Sequence, residues 1–360
     1  MTIVYFILML GIIIFIHELG HMLMAKLFGV YVSEFALGFG PKIWSKQGKE
    51  TLYSLRAIPL GGFTGMVEKE ETPLEFDQDG NPTQILTVPQ NRTFYGVSPW
   101  KRIIVLLAGP VFNLILAMVV FISIFQITGF INEYPAPYIA KVMAGSPAEE
   151  AGLQAGDLIK RLEYSDGSIT VPETFYDVII SNTSNTDTLT VVVERNGAEM
   201  SFRVTPRLDP ESQSYIIGIT SGDLIQRELS FFEAIPVGIN YALDIIKLTF
   251  TSIVGLFTGK SSINSLGGTI SIYKYTEEAA SYGFTSVLSL MGSLSVSVGL
   301  MNLIPISIFD GGKIVITLIE MIIGHRLSEK TENAVNMIGL ALVFGLFIFV
   351  TILDIKKLFG

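Results

Sequence analysis

His17-Glu18-Leu19-Gly20-His21 places two imidazoles and a carboxylate within one short stretch. On a helix, two histidines four apart stand one turn above the other on a single face, so both can reach one ion. A zinc ion held in this way, with a glutamate beside it to take a proton from water at the metal, is the hydrolytic chemistry of a metalloprotease. The surroundings are not those of a soluble enzyme, because Glu18 is the only Asp, Glu, Lys or Arg between Ile3 and Met24. An ionisable group in such an apolar run is costly unless it serves a function. The first expectation is therefore hydrolysis inside a membrane.

A catalytic zinc ion needs a third protein ligand and an open position for water. The chain has three histidines and no cysteine, so thiolate sites and disulfides are excluded. His325 is the remaining histidine, which makes a carboxylate the better third ligand. Asp310 is the candidate, at the end of the stretch Asn302-Leu303-Ile304-Pro305-Ile306-Ser307-Ile308-Phe309-Asp310. It follows an apolar span, and Gly311 and Gly312 after it are expected to loosen or end that helix. His21 lies toward the C-terminal end of the first span. The pair can meet only if both spans run the same way.

The elements that must position these groups follow from composition and pattern. Of 360 residues 49% are hydrophobic and 16% charged, as in a multi-span membrane protein carrying a water-facing part. The net charge of −9 argues against nucleic acid as a partner. Four segments can cross the ~20-residue width of a bilayer: Ile3–Phe28, Ile103–Phe130, Phe284–Ile308 and Ala334–Leu353. The first lacks a basic leader and a small-residue cleavage site and is expected to be retained. A fifth segment, Phe231–Phe257, carries Glu233, Pro236, Asp244 and Lys247 and is expected to lie at the interface as an amphipathic helix. Ile43–Leu55 reads as a β-hairpin turning at Gln47-Gly48-Lys49, and Glu68–Asn91 as an acidic surface loop.

A water-facing domain is expected at Tyr134–Arg207. Ser146-Pro147 starts a short helix, and Arg195-Asn196-Gly197-Ala198 is a hairpin turn. The division is 1–130 for the N-terminal membrane part, 134–207 for this domain, 208–283 for a linker with the interfacial helix, and 284–360 for the C-terminal membrane part. Lys26, Lys42, Lys46, Lys49, Lys101, Arg102, Lys313, Arg326 and Lys330 flank the face that would carry the site, which places that face toward the cytoplasm; Lys356 and Lys357 run against this.

These motifs together resemble the bacterial site-2 protease family, intramembrane zinc metalloproteases of the RseP type (family M50), over nearly the whole length. His17–His21 matches the family's zinc motif, Gly38–Met66 its membrane-reentrant β-hairpin with Gly-Phe-Gly entering and Pro-Leu-Gly-Gly leaving, and Ala108-Gly109-Pro110-Val111-Phe112-Asn113 its second-span motif. Tyr134–Arg207 is similar to a PDZ domain and Asn302–Gly312 to the distal aspartate motif. Two positions depart from the family pattern: Ser307 and Phe309 stand where a proline and a leucine are usual. One PDZ-like domain fits where the RseP type has two.

The resemblance implies a multi-span α-helical membrane protein with four transmembrane helices, a reentrant β-hairpin and an inserted α+β PDZ-like domain. It implies one zinc ion on His17, His21 and Asp310, with Glu18 as general base. Substrate contacts are expected from Asn302, Asn113, Gly61 and Gly62, and from a peptide groove at Tyr138-Ile139-Ala140, unless that domain acts as a steric filter. The hairpin is expected to take an unwound substrate as an added strand. Implied partners are membrane lipid and single-span membrane proteins, such as anti-sigma factors or remnant signal peptides, already cut by a site-1 protease. The implied place is the bacterial inner membrane, with the PDZ-like domain outside the cytoplasm. The rival reading is a non-catalytic scaffold whose zinc is structural, which requires a closed site with a fourth protein ligand.

Overall fold

The computed structural model describes residues 1–76, 82–182, 186–209, 214–259 and 267–359. They form two compact units. One comprises Met1–Ile124, Ala234–Phe257 and Ser262–Gly360; the other is centred on Phe125–Glu233.

The first unit is built on helices α1 (Thr2–Leu27) and α2 (Pro99–Thr128). Between them lie a long hairpin, β1 (Val32–Gln47) and β2 (Leu52–Met66), and a second antiparallel pair, β3 (Glu71–Phe76) and β4 (Pro82–Thr87). The middle of the acidic loop expected at Glu68–Asn91, residues 77–81, lies outside the described residues. The chain re-enters the unit through α5 (Ala234–Thr258) and α6 (Thr269–Tyr282), then α7 (Phe284–Asn302), α8 (Asp310–Ile323) and α9 (Glu329–Phe359).

Helix direction can be read from neighbours. Met9 and Ile13 of α1 pack with Val120 of α2, whereas His21 touches Val105, so α2 runs against α1. Met291 of α7 packs with Met9 and Ile13, Ser295 donates to the Asn113 carbonyl, and Gly299 lies against the Pro110 carbonyl, so α7 runs with α1. The first span and the apolar span that precedes Asp310 therefore run the same way. Small residues set the spacing: a Cβ on Gly20 would stand 2.5 Å from the Ala108 carbonyl oxygen.

Five described helices are long and apolar enough to cross a membrane: α1, α2, α5, α7 and α9. The additional one is α5, the segment expected at the interface. It buries Ala234, Gly238 and Ala242, one per turn, and Gly238 lies directly on the backbone of Ile122. A polar tie also reaches across this unit: Asp354 of α9, buried, accepts from the amides of Gly268 and Ser271 and from the Ser271 hydroxyl, completing the first turn of α6.

The hairpin is larger than expected. Pairing begins at Val32 with Met66 and ends at Gln47 with Leu52, so the strands extend well beyond Ile43–Leu55. Residues 34–37 are paired twice, with 62–65 and with 52–55, because the strands bend back on themselves at Gly38 and Gly40, both at positive φ. Arg56 holds the bend, donating to the Gly40 carbonyl and to Glu34.

The second unit carries β5 (Phe130–Glu133), β6 (Lys141–Val142), α3 (Pro147–Ala151), β7 (Leu158–Glu163), β8 (Ile169–Thr170), α4 (Phe175–Asn182), β9 (Leu189–Arg195) and β10 (Ala198–Val204). These are followed by β11 (Arg207–Leu208), β12 (Tyr215–Ile216), β13 (Ile219–Thr220) and β14 (Ile225–Glu228). Its main sheet has the order β10-β9-β7-β8. Ser146 caps α3 through its hydroxyl, and Asn196 and Gly197 make a two-residue turn with φ of 53° and 78°, as the sequence predicts. The boundary expected at Tyr134–Arg207 is too narrow. β5 pairs with β14, β6 with β13, and Ile217 is part of the buried core, so strands on both sides of that range belong to the unit. Such two-residue strands carry too little pattern to be seen in sequence.

Asp157 is buried and fixed by Arg195 through two contacts of 2.7 Å and by the Gln154 amide. Burial alone would raise its pKa, but the Arg195 hydrogen bonds outweigh it and hold the carboxyl below the usual range. The associated stability is present above the ordinary aspartate pKa, about 3.9. It is lost as pH falls through and below that value, where the carboxylate must take up a proton. Arg195→Ala in the full chain is expected to destabilise this unit by about 2–3 kcal/mol. Hydrogen exchange of β7 and β9 should show this, and should show less loss of protection on acidification than in the parent protein.

A candidate zinc centre

His17 and His21 lie on the face of α1 that packs against α2, and both are buried. Gly109 makes this possible, since a Cβ there would stand 2.7 Å from His21 Cε1 and 2.8 Å from His17 Cε1. Asp310 reaches the same point from the first turn of α8. The sequence expectation that Gly311 and Gly312 end a helix is corrected: α7 stops at Asn302, the chain turns through residues 303–309, and Asp310 begins α8. The turn is held by bonds such as Ile306 N to Ile304 O and Phe309 N to Ile306 O. It folds over the start of α8 closely enough that a Cβ on Gly312 would lie 2.5 Å from Ser307 Cα. The glycines are there for this close approach.

Asp310 Oδ2 lies 3.2 Å from His17 Nε2 and 3.4 Å from His21 Nε2, and the two Nε2 atoms are 3.2 Å apart. His21 Nδ1 is 2.8 Å from the Val105 carbonyl, which can only accept, so in the neutral ring the proton sits on Nδ1 and Nε2 presents a lone pair. Asp310 Oδ2 is buried with no hydrogen-bond partner. A cation between these atoms removes their mutual repulsion. Three corners of a tetrahedron with arms of about 2.0–2.1 Å are about 3.3 Å apart, so the donor set fits zinc in both chemistry and spacing. Among the described residues the cluster holds these three groups and no fourth. That leaves an open position and weighs against a closed structural site.

Glu18 points off the same helix, and its Oε2 accepts from the Thr64 hydroxyl of β2 at 2.9 Å. A cavity of about 550 Å³ borders this contact, lined in part by Thr64, Tyr95, Lys313, Glu320, Arg326 and Glu332. Its wall holds a buried ion pair between Arg102 and Glu320, 2.8 Å.

The residues expected to touch substrate are distributed differently. Asn113 is fully buried, with Nδ2 3.3 Å from His17 Nδ1 and Oδ1 without a partner. Turning the amide about its last torsion brings the oxygen to an Nδ1 proton, satisfies the orphan and leaves His17 Nε2 as a lone pair. Asn113 thus lies buried against His17, the placement of groups that orient a histidine ligand. The Asn302 amide donates to Val298 of its own helix. Gly62 packs on Ile14 and Glu18, and Gly61, at φ +117°, makes room for the ring of Phe39. The Tyr138–Ala140 groove is corrected too. The Ile139 amide donates to the Asp157 carbonyl, its carbonyl accepts from Gly156, and the Ala140 amide donates to Thr220, so no edge is open there for an added strand. Sequence reasoning missed Val105 and Thr64: one acts through a backbone carbonyl, the other lies 46 residues from its partner.

Asp310→Ala in the purified full chain is expected to abolish stoichiometric zinc binding, read by metal analysis. Asn113→Ala should keep zinc but weaken its affinity about 10–100-fold in chelator competition, the usual cost of losing a group behind a ligand.

Comparison with known proteins agrees with this geometry. The profile of peptidase family M50 matches residues 5–346. A zinc metalloprotease of Clostridium acetobutylicum is 35% identical over 98% of this chain and 97% of its own length. The zinc metalloprotease RasP of Oceanobacillus iheyensis is 29% identical, and the regulator of sigma-W protease RasP of Bacillus subtilis 28% identical, each over 99% of both chains. A slight likeness, 21% identity with a TM-score of 0.21, links 24% of this chain to 88% of a PDZ domain from Listeria monocytogenes. The chain belongs to peptidase family M50: it is a membrane zinc metalloprotease of the site-2 type.

Proposed function

We propose that the chain cuts peptide bonds within or near the transmembrane segment of single-span membrane proteins, after a first protease has removed their outer part. Anti-sigma factors and remnant signal peptides are the candidate substrates. The observation that carries this reading is the convergence of His17, His21 and Asp310 beside Glu18 on an otherwise apolar helix.

His17, His21 and Asp310 would hold the zinc ion. When bound, zinc polarises the scissile carbonyl and makes water a usable nucleophile near neutral pH. Glu18 takes the proton from the attacking water and delivers it to the leaving amine. The Val105 carbonyl and Asn113 keep both imidazoles turned with Nε2 inward, supported by the contacts they make with Nδ1. The polar cavity next to Thr64 supplies water from one side of the membrane.

A helical peptide bond is shielded by its own hydrogen bonds, so the substrate must be extended before attack. The hairpin enters the membrane and offers strand addition. In support, β2 rather than the hairpin tip approaches Glu18, through Gly62 and Thr64. Four helices cross the bilayer and α5 lies obliquely against α2. Its charges at Asp244 and Lys247 support this. With that count the site faces the cytoplasm, as the flanking Lys and Arg residues suggest, and the PDZ-like unit is extracytoplasmic. There it screens substrates by size, a role that fits the absence of an open edge at Tyr138–Ala140.

The test uses the full chain in liposomes with a single-span reporter substrate. Cleavage should require zinc and disappear on chelation. Glu18→Gln should retain zinc while losing about 10²–10⁴-fold in rate, the range for removing a positioned acid–base group. Undiminished cleavage by that variant would overturn the mechanism.

A further inference from the structure

Thr64 is the one contact described between the hairpin and the carboxylate of Glu18. Its hydroxyl lies 2.9 Å from Glu18 Oε2 and 3.0 Å from the Glu18 carbonyl oxygen. A hydroxyl has one proton to give, and the ionised carboxylate is the stronger acceptor. Gly62 stands two residues earlier, on the same face of β2. A Cβ there would lie 2.9 Å from Ile14 Cγ2 and 3.2 Å from Glu18 Cγ. The strand therefore approaches α1 because Gly62 lacks a side chain, and this approach brings the Thr64 hydroxyl onto the carboxylate. Thr64 also lines the polar cavity and pairs with Phe35 in the sheet. It thus joins three things: the sheet, the solvent path and the base.

We propose that Thr64 is a positioning residue for Glu18. Its hydroxyl holds Oε2, fixes the plane of the carboxylate and leaves the other oxygen for proton transfer. A substrate strand that shifts β2 would then move the base with it. The proposal rests on the reading of Glu18 as general base. It assigns Thr64 no contact with substrate or metal.

Thr64→Val and Thr64→Ser separate a hydroxyl role from a packing role, because valine keeps the shape and serine keeps the hydrogen bond. In the full chain in liposomes with the single-span reporter, Thr64→Val is expected to lower kcat about 10-fold or more, the worth of a hydrogen bond to a charged group. KM and zinc content should stay within about twofold under the same reasoning, since neither substrate nor metal loses a contact. Thr64→Ser should keep most of the activity. A Thr64→Val enzyme at the parent rate, or one faster than Thr64→Ser, overturns the proposal. A second measurement does not need turnover. The Glu18 carboxylate stretch, isolated as the infrared difference between the parent and Glu18→Gln, should shift in Thr64→Val and stay in place in Thr64→Ser. An unmoved band in Thr64→Val refutes the contact. A moved band in a protein that cleaves nothing refutes the proteolytic reading and leaves the contact standing.

Discussion

Three lone pairs aimed at one buried point are the constraint on which the rest of the structure depends. His17 Nε2, His21 Nε2 and Asp310 Oδ2 stand 3.2–3.4 Å from one another and present acceptors that repel. A cation between them makes that arrangement favourable, and ionisable groups set in an apolar helix bundle are costly without one. Much else serves to bring these atoms together. Gly20 lets α1 and α2 touch, Gly109 makes room for the imidazoles, and Gly312 lets the turn after α7 fold back to place Asp310. The cost of missing side chains is borne where lipid offers no hydrophobic drive for helices to associate, so close packing must supply it.

A second layer of contacts gives the ligands their orientation. The Val105 carbonyl selects the tautomer of His21, and Asn113 is placed to do so for His17. Thr64 meets Glu18 from another element. The groups that turn the metal ligands thus come from α2, while the group that turns the base comes from the hairpin. Metal binding and orientation of the base are assigned to different parts of the fold. A shift in the hairpin can therefore change the second without disturbing the first.

Much of this was legible along the chain. The i, i+4 histidines and the Asn-Gly turn are local patterns with a fixed geometric meaning, and both appear where the pattern puts them. With no cysteine and one spare histidine a carboxylate is the better third ligand, and Asp310 stands out by its place beside an apolar stretch. Where the structure differs from the sequence pattern, the causes are local. The hairpin strands run beyond Ile43–Leu55 because bends at Gly38 and Gly40 interrupt the alternation of strand residues. The second unit extends beyond Tyr134–Arg207 through outer strands of two to four residues, too short to carry a sequence pattern. At Gly311 and Gly312 glycine can mark either a loosened helix end or a close approach, and sequence does not distinguish them.

By itself the sequence determined the chemistry: which donors are available, that thiolates are not among them, and that the site lies in an apolar segment. Helical periodicity and the cost of burying charge act locally, so they can be read from neighbours in the chain. The tertiary structure alone decided which atoms turn which. Asn113 became a partner of His17, a carbonyl at Val105 selected a tautomer, and a hydroxyl 46 residues away reached the base. These are contacts between backbones and side chains far apart in sequence. Their existence depends on ångström-scale packing that no residue type specifies.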